Sequence, residues 1–253
     1  MNFAPALIQA LRSARHIAVL TGAGASAESG LPTFRDVQTG LWSQFRPEDL
    51  ATPEAFQRNP KLVWEWYAWR RSLVERAQPN PGHLMLAEME RRVPHFTLIT
   101  QNVDGLHQLA GSRNVIELHG NIRRYKCFDC QAPYALDDAD QDAPPRCPHC
   151  GGLIRPDVVW FGESLPTQAY WAALEAAQGC DVFFSIGTSG RVEPAASLPR
   201  VARRARATLV TINPDVEKHS ESHSHAIHGK AGEVLPALVR AAWGERPAAL
   251  SAR

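Results

Sequence analysis

Four of the five cysteines in this chain stand in two close pairs that could hold a metal ion. Cys127 and Cys130 are separated by two residues, sixteen residues follow, and Cys147 and Cys150 repeat the first spacing. This arrangement is typical of a tetrahedral Zn²⁺ site, and four thiolate ligands leave no coordination position for water or substrate. We therefore predict one structural zinc ion that stabilises a small module and takes no part in chemistry.

Other potential metal ligands lie near and beyond these cysteines. His149, between the last two cysteines, could compete as a ligand, but four sulfur atoms make it unnecessary. We expect Cys180, which sits beside an apolar run, to be a buried apolar side chain. A histidine-rich stretch could hold a second metal, but its serines and charged residues favour a solvated loop. Its histidines are His219, His223, His225 and His228.

A glycine-rich segment could bring backbone amides close to a phosphate group. Gly22 to Ala27 fits the pattern G-x-G-x-x-[GA] directly after a predicted strand, where amides can approach a pyrophosphate. A hydride-transferring dehydrogenase needs an acidic residue about twenty positions further on, at the tip of a second strand. Glu48 and Asp49 stand there in a predicted loop or helix. Hydride transfer is therefore disfavoured, whereas dinucleotide binding stays open.

The elements that must position these residues follow an alternating pattern. Four apolar runs predict buried strands that end at Leu20, Ile99, Ile186 and Ile212, and each is followed by small or polar residues. Helical patterns cover 81–92, 168–178 and 194–205. This predicts a doubly wound, Rossmann-like parallel α/β sheet whose strand ends share one ligand site. The alternative is that the polar residues merely end the strands.

Two insertions interrupt the alternation and indicate a second, smaller discontinuous domain. We predict a helical module over 36–78 and a zinc-binding module over 123–155. The Rossmann-like domain then comprises 1–35, 79–122 and 156–253. A first helix is expected before the first strand.

Composition and charge indicate which classes of binding partner are not expected. The 253 residues carry a formal net charge of +1 with no long block of one sign, and the cysteine segment contains an acidic run, so nucleic acid is not expected as a partner. No apolar run approaches the length of a membrane span, and the first twenty residues lack a secretory signal pattern. We expect a cytoplasmic protein with no membrane partner. The sequence leaves the oligomeric state open, a monomer included.

Five motifs in order resemble the sirtuins, a family of NAD-dependent protein lysine deacylases. They are GAGASAESGLPTFR (22–35), TQNVDGLH (100–107), ELHGN (117–121), PDVVWFGE (156–163) and GTSGRVEPA (187–195). With the paired cysteines, the resemblance covers residue 17 to about residue 236. One departure is Thr33, where many members of the family carry aspartate.

The resemblance implies that NAD is a co-substrate lying across the strand ends. Glycines of the first motif would lie beside the pyrophosphate, Asn102 would touch the nicotinamide ribose, and Asp104 would contact the carboxamide. Without the family, Asn102 and Asp104 would be interpreted as turn residues. The cofactor-binding residues implied are Gly22, Ala23, Gly24, Ser26, Phe34, Arg35, Trp42, Gln101, Asn102, Asp104, Gly187, Thr188, Ser189, Asn213, Pro214, Asp215 and Ala231.

His119 is the predicted catalytic residue. It resembles the general base of the family, which accepts a proton from the ribose hydroxyls after the acyl oxygen of the modified lysine displaces nicotinamide. An imidazole suits this role because its ordinary pKa lies close to working pH. The implied products are free lysine, nicotinamide and an O-acyl-ADP-ribose.

A Tyr-x-x-Arg pair indicates whether the acyl group to be removed is acidic or neutral. Tyr67 and Arg70 share one face of a predicted helix because of their i, i+3 spacing. A phenol and a guanidinium suit a carboxylate better than a neutral acetyl group. The pair also resembles that of the sirtuin branch that removes succinyl, malonyl and glutaryl groups. The alternative is an aromatic core helix with exposed arginines.

The acylated lysine is expected to arrive on an extended peptide. Backbone pairing between 159–163 and 190–193 would hold it, which gives broad sequence tolerance. The substrate-binding residues of these segments are Val159, Phe161, Gly162 and Val192. Three alternatives stay open: a plain NAD-dependent deacetylase, a protein ADP-ribosyltransferase, and, from another class, an NAD-sensing zinc-ribbon binding module.

Overall fold

A buried strand, β1 (His16–Thr21), lies in the interior of the larger of two sheets. The computed structural model describes residues 1–32, 45–136, 143–215, 219–221 and 224–244. The other strands of this sheet are β2 (His95–Thr100), β3 (Val115–Glu117), β7 (Val182–Ile186), β8 (Thr208–Asn213), β9 (His219–Glu221) and β10 (Ser224–His228). Their order is β3-β2-β1-β7-β8-β10-β9, and every pairing is parallel except that of β9 with β10.

Helices cover both faces of this sheet. The helices of the described residues are α1 (Pro5–Ser13), α2 (Pro47–Leu50), α3 (Pro53–Arg58), α4 (Pro60–Arg76), α5 (Pro81–Glu90), α6 (Leu106–Leu109), α7 (Thr167–Gly179), α8 (Leu198–Arg204) and α9 (Ala231–Trp243). In β1, Ile17 and Val19 pack into a core with α1, α5 and α9, whereas Ala18 and Leu20 pack with α7 and α8. The period of two in a strand sends alternate residues to opposite faces, so the doubly wound prediction is confirmed.

The strand order reverses between β1 and β7. The chain passes from β1 outward through β2 to β3, and then returns to the other side of β1 with β7, β8 and β10. Ligands of open α/β sheets bind in the crevice at such a switch point, outside the carboxyl ends of the strands. A ligand is therefore expected beside the segments that follow β1 and β7.

A smaller unit contains a second sheet, whose three strands lie between β3 and β7 along the chain. Its sheet has the order β5-β4-β6, with β4 (Gly120–Cys127), β5 (Pro133–Tyr134) and β6 (Ile154–Val158) all antiparallel. Its helices start at polar caps, since Thr52 accepts from the amide of Ala55 and Asn59 from that of Leu62. The aromatic side chains of α3 and α4 pack against Trp160 in one buried cluster.

Three local predictions differ from the structure. The small sheet extends beyond residues 123–155 on both sides, because Gly120 pairs with Val158. The histidine-rich stretch is not a solvated loop throughout: Ser224–His228 is a strand paired in parallel with β8, and His225 is buried. In addition, the helix expected from 194 begins at Leu198, after a 3₁₀ turn at Ala195–Ser197. No helix of the described residues has both the length and the apolar character to cross a membrane.

Candidate active site and metal centre

His119 lies in the two-residue connection between the sheets, directly after β3 and before β4. The backbone is held on both sides, since the amide of Leu118 donates to the carbonyl of Thr100 at 2.9 Å and the amide of Val159 donates to the carbonyl of His119 at 2.9 Å. These bonds fix the position of the imidazole relative to both β2 and the segment after β6. His119 is therefore placed by the junction of the two units rather than by either alone.

The imidazole of His119 has a defined tautomer. Its Nδ1 atom lies 2.9 Å from the carbonyl oxygen of Gln101. Because a carbonyl only accepts, Nδ1 carries the proton, and Nε2 keeps a free lone pair. Burial lowers the pKa of His119 below its ordinary value, with the Gln101 carbonyl acting in the opposite direction. The ring is thus neutral near pH 7 and able to accept a proton at Nε2.

The ends of β1 and β7 approach so closely that side chains are excluded. The amide of Gly22 donates to the carbonyl of Ile186 at 3.0 Å, and that of Gly24 to the carbonyl of Gly187 at 2.9 Å. A Cβ on Gly187 would lie 2.3 Å from the amide nitrogen of Ala25, and φ of Gly187 is 61°. The glycines let the two strand ends meet at the switch point, where a dinucleotide would bind.

A buried polar cluster lies behind these strand ends. Ser26 donates to the Asp104 carboxylate at 2.8 Å, and the Asn102 amide donates to Ser26 and to the carbonyl of Gly22, both at 3.1 Å. All three side chains are buried. Asp104 also accepts from the amide of Leu106, which begins α6. Three predicted cofactor-binding residues are therefore brought together from two segments, those that follow β1 and β2.

Sequence reasoning gave no role to two histidines of this cluster. The amide of Asn80 donates to Nδ1 of His83 at 3.2 Å, so Nε2 of His83 carries the proton and donates to Ser26 at 3.3 Å. Asn80 and His83 form the capping box of α5, and this N-P-G-H segment is the signal that could have revealed them. Burial lowers the pKa of His83, while the Asp104 carboxylate opposes the shift.

His107 is the second of these histidines. Its Nε2 lies 2.9 Å from Oγ1 of Thr21, whose own proton is donated to Thr100 at 2.9 Å. Nε2 of His107 is therefore the donor, and Nδ1 has no hydrogen-bond partner in the part of the chain that the structure describes. The rings of His107 and His83 lie 4.8 Å apart. Burial, and next the neighbouring His83, lower the pKa of His107 well below its ordinary value, so the ring is neutral.

A second group of predicted cofactor-binding residues lies together at the ends of β7 and β8. The side-chain amide of Asn213, at the end of β8, donates to the carbonyl of Thr188 at 2.9 Å, and the amide of Asp215 turns back to Asn213. Ala231 is the first residue of α9 and is buried. Ser189 and Pro214 lie in the same two strand-end segments. The predicted residues Phe34, Arg35 and Trp42, together with Thr33, lie outside the described residues.

Tyr67 and Arg70 share one face of α4, as their spacing predicts. The guanidinium carbon of Arg70 lies 5.8 Å from the ring centre of Tyr67 and 4.9 Å from that of Trp66. Burial raises the pKa of Tyr67, against the effects of Arg70 and Trp160, so the phenol keeps its proton. Burial also lowers the pKa of Arg70, which Tyr67 opposes. The aromatic-core interpretation of this helix is correct for Tyr67, which is only 1% exposed.

The segment that follows β6 is held by an ion pair that sequence reasoning missed. Glu163 accepts from the amide of Trp160 at 2.7 Å and from both terminal nitrogens of the buried Arg155. Phe161, 41% exposed, and Val192, 40% exposed, present apolar surface on the two segments expected to flank a peptide. Val159 pairs with His119, and Gly162 has a φ of 86° in the turn of this loop.

The four paired cysteines form the predicted metal centre. Their sulfur atoms all lie within 4.8 Å of one another, with 3.4 Å between Cys127 and Cys150 and 3.7 Å between Cys130 and Cys147. A tetrahedron of thiolates at about 2.3 Å from Zn²⁺ has edges of about 3.8 Å, so the cluster fits this ion. A hydrogen bond from the amide of His149 lowers the pKa of Cys147 to about 7, whereas, against a hydrogen bond from the amide of Gly152, the neighbouring sulfur atoms raise the pKa of Cys150 to about 12.

The metal centre is remote from His119. Strand β4 begins at Gly120, next to His119, and ends at Cys127. Gly120 pairs with Val158 and Cys127 with Ile154, so the two ends of β4 lie about as far apart as those of the five-residue strand β6, about 13 Å at the usual rise of a strand. A metal ion bound there stabilises the two C-x2-C turns and cannot act on atoms at His119. As expected, Cys180 is buried among apolar side chains of the sheet.

Comparison with known proteins identifies the family. The Sir2 family profile matches residues 22–194, so the chain belongs to the Sir2 family. An NAD-dependent protein deacylase 2 of Pyrobaculum aerophilum is 54% identical over 90% of this chain and 92% of its own length. A crystal structure of a Sir2 homolog with NAD is 44% identical, with a TM-score of 0.86, over 94% of this chain and 93% of its own.

A further solved structure is a Sir2 mutant with a deacetylated p53 peptide and 3′-O-acetyl ADP-ribose. It is 31% identical, with a TM-score of 0.81, over 94% of this chain and 98% of its own. The family assignment confirms the predicted resemblance and favours an enzyme over a binding module.

The strand-end contact can be tested with two glycines of similar backbone conformation. Gly187→Ala should lower the free energy of unfolding by about 2–4 kcal/mol, because both the backbone conformation and the contact with Ala25 are disturbed. Gly190 has a φ of 64° but no atoms near an added Cβ. Gly190→Ala should therefore cost only about 1 kcal/mol. Urea unfolding measures both; equal losses would argue against the close contact.

The metal centre can be tested by its zinc content. We expect about one zinc ion per chain by elemental analysis, and loss of that ion in Cys147→Ser, because three sulfurs leave the tetrahedral site incomplete. The melting temperature should fall by about 5–15 °C, since each kcal/mol lost shifts it by about 2–4 °C in a domain of this size. Cys180→Ala is the matched control and should keep its zinc. Full zinc content in Cys147→Ser would refute the assignment.

Proposed function

We propose that this protein is an NAD-dependent protein lysine deacylase in which His119 is the general base. The observation that carries the proposal is the hydrogen bond from Nδ1 of His119 to the carbonyl of Gln101. It leaves Nε2 as an acceptor on a ring that burial keeps neutral. The products would be unmodified lysine, nicotinamide and O-acyl-ADP-ribose.

In this proposal NAD lies across the switch point as a co-substrate. The amides of Gly22 and Gly24 already donate to the end of β7, so the role of the glycines is to allow close approach of the backbone. The buried cluster of Ser26, Asn102 and Asp104 holds the carboxyl end of β2 in one arrangement beneath the nicotinamide half. Its hydrogen bonds are fixed before the co-substrate binds, which reduces the cost of ordering the site.

His119 would act on a proton of the ribose. After the acyl oxygen has displaced nicotinamide, Nε2 accepts the proton of a ribose hydroxyl, and the hydroxyl oxygen attacks the acyl carbon. Addition of one water molecule then releases the lysine amine and leaves the acyl group on the ribose. The Gln101 carbonyl stabilises the resulting imidazolium through Nδ1–H. The lysine would reach this point on a peptide held between 159–163 and 190–193, and Val159 lies against the backbone of His119.

His119→Ala should lower kcat/KM for deacylation by at least about 100-fold, the scale expected for a lost general base. Binding of NAD, measured by calorimetry, and the melting temperature should change little, because the backbone contacts of residue 119 remain. The matched control is His95→Ala, an exposed histidine at the amino end of β2, on the opposite edge of the sheet. Near-normal turnover in His119→Ala would refute the role of His119.

The products decide between deacylation and ADP-ribosyl transfer. Mass spectrometry of the wild-type reaction should find O-acyl-ADP-ribose together with unmodified lysine in the peptide. ADP-ribosylated protein in place of these products would support the transferase alternative.

We further propose that the enzyme prefers acidic acyl groups such as succinyl, malonyl and glutaryl, and retains some deacetylase activity. Support comes from Tyr67 and Arg70, which lie on one face of α4 with the guanidinium 5.8 Å from the phenol ring. A carboxylate would stabilise a guanidinium that burial destabilises, and would accept from the phenol. An acetyl group offers neither interaction.

Tyr67→Phe combined with Arg70→Met should lower kcat/KM for a succinyl-lysine peptide by about 100-fold, on the basis of about 3 kcal/mol for two hydrogen bonds to a charged group. The acetyl-lysine peptide should lose much less, since no hydrogen bond to its methyl group is possible. Arg71→Met is the matched control, because Arg71 lies on the same helix as Arg70 but contacts Tyr125 of β4. An unchanged succinyl preference in the double variant would exclude this pocket.

A further inference from the structure

A single hydrogen bond sets which way the Tyr67 hydroxyl can donate. The indole Nε1 of Trp160 lies 2.9 Å from the hydroxyl oxygen of Tyr67, and both side chains are buried. An indole N–H only donates, so the phenol oxygen must accept, and the phenol's own proton is left for another acceptor. Among the described residues no acceptor for that proton is found. Tyr67 is thus prepared as a donor.

Trp160 is itself held from several sides. The guanidinium carbon of Arg155 lies 3.2 Å from the centre of the indole ring, and Arg155 pairs with Glu163 through two hydrogen bonds. On the other elements, the rings of Phe56 and Phe128 lie 5.3 Å and 6.3 Å from that of Trp160. The indole therefore cannot turn its N–H away from Tyr67 without breaking these contacts.

We infer that Trp160 is a specificity-determining residue, which positions the Tyr67 hydroxyl as a hydrogen-bond donor to the carboxylate of an acidic acyl group. The inference rests on the proposed acidic-acyl preference and identifies what sets it. Trp160 acts through Tyr67 and is a positioning residue. The backbone of Trp160 belongs to the loop expected to hold the peptide, so one residue joins acyl selection to the peptide segment.

The direction of this hydrogen bond matters because of the chemistry of the two acyl classes. A carboxylate only accepts, so it needs the phenol proton directed toward it. If the indole N–H were absent, the phenol could rotate or recruit water, and part of its donor geometry would be lost. Burial raises the pKa of Tyr67, so the phenol retains the proton that it must donate. A neutral acetyl group has no distal acceptor and is insensitive to this orientation.

The test replaces the indole N–H while keeping an aromatic ring. Trp160→Phe should lower kcat/KM for a succinyl-lysine peptide by about 5–20-fold, which corresponds to about 1–2 kcal/mol, the loss expected for one hydrogen bond. The loss on the matching acetyl-lysine peptide should be at least five-fold smaller. Trp171→Phe, at a 58% exposed tryptophan of α7, is the matched control and should leave the ratio of the two activities as in the wild type.

A double-mutant cycle separates positioning from packing. If Trp160 acts through the Tyr67 hydroxyl, Trp160→Phe in a Tyr67→Phe background should cause no further loss of succinyl preference. Additive losses would overturn the inference. If Trp160→Phe unfolds the protein, benzothienylalanine at position 160 replaces the N–H by sulfur in a ring of nearly the same shape, and the same change in ratio is expected.

The outcomes distinguish this inference from the proposed function. A wild-type enzyme that prefers succinyl-lysine, together with Trp160 variants that keep the full preference, would overturn the role of Trp160 and leave the Tyr67 and Arg70 pocket intact. A wild-type enzyme with no preference for succinyl-lysine would overturn both. A selective loss in Trp160→Phe that disappears in the Tyr67→Phe background would support both.

Discussion

The contact between the ends of β1 and β7 organises the rest of this molecule. At the switch point of the sheet, Gly24 donates to Gly187, and an added Cβ on either residue would meet the backbone of the other strand end. The contact brings the amide-rich turns after β1 beside the segment after β7, which forms one continuous edge. A sheet with ordinary side chains at these positions would have to separate its strand ends, and the site would lose the surface that a dinucleotide needs.

The polar cluster behind that edge follows from the same constraint. Ser26 is fixed by the turn after β1, so it can bond to both Asp104 and Asn102 from the segment after β2. Buried polar groups are costly unless paired, and here most donors have an acceptor of the right kind. Among the described residues, the acceptor Nδ1 of His107 lacks a hydrogen-bond partner, at a cost of about 1–3 kcal/mol.

The parts that the sequence could predict are those in which neighbouring residues determine the outcome. Apolar runs predicted β1, β2, β7 and β8, and the cysteine spacing predicted a cluster that the structure contains. The partners of buried polar groups could not be predicted, because Ser26 and His83 are 57 residues apart and Tyr67 and Trp160 are 93 residues apart. Likewise, β10 contains polar residues, and it forms a strand because it pairs with β8 on one side and with β9 on the other.

His119 lies at the connection between the two sheets, and each sheet holds it by its backbone. Its backbone joins β3 to β4, so the large sheet sets where the imidazole stands, and β6 holds the same residue through Val159. The small sheet carries the metal centre at its far end, where it can stiffen β4 but cannot reach the reacting atoms. Arg155 lies on β6 and clamps Glu163, so the loop between them is fixed to the strand that also contacts His119. The paired strands β4 and β6 therefore connect the metal centre both to His119 and to the loop that carries Trp160.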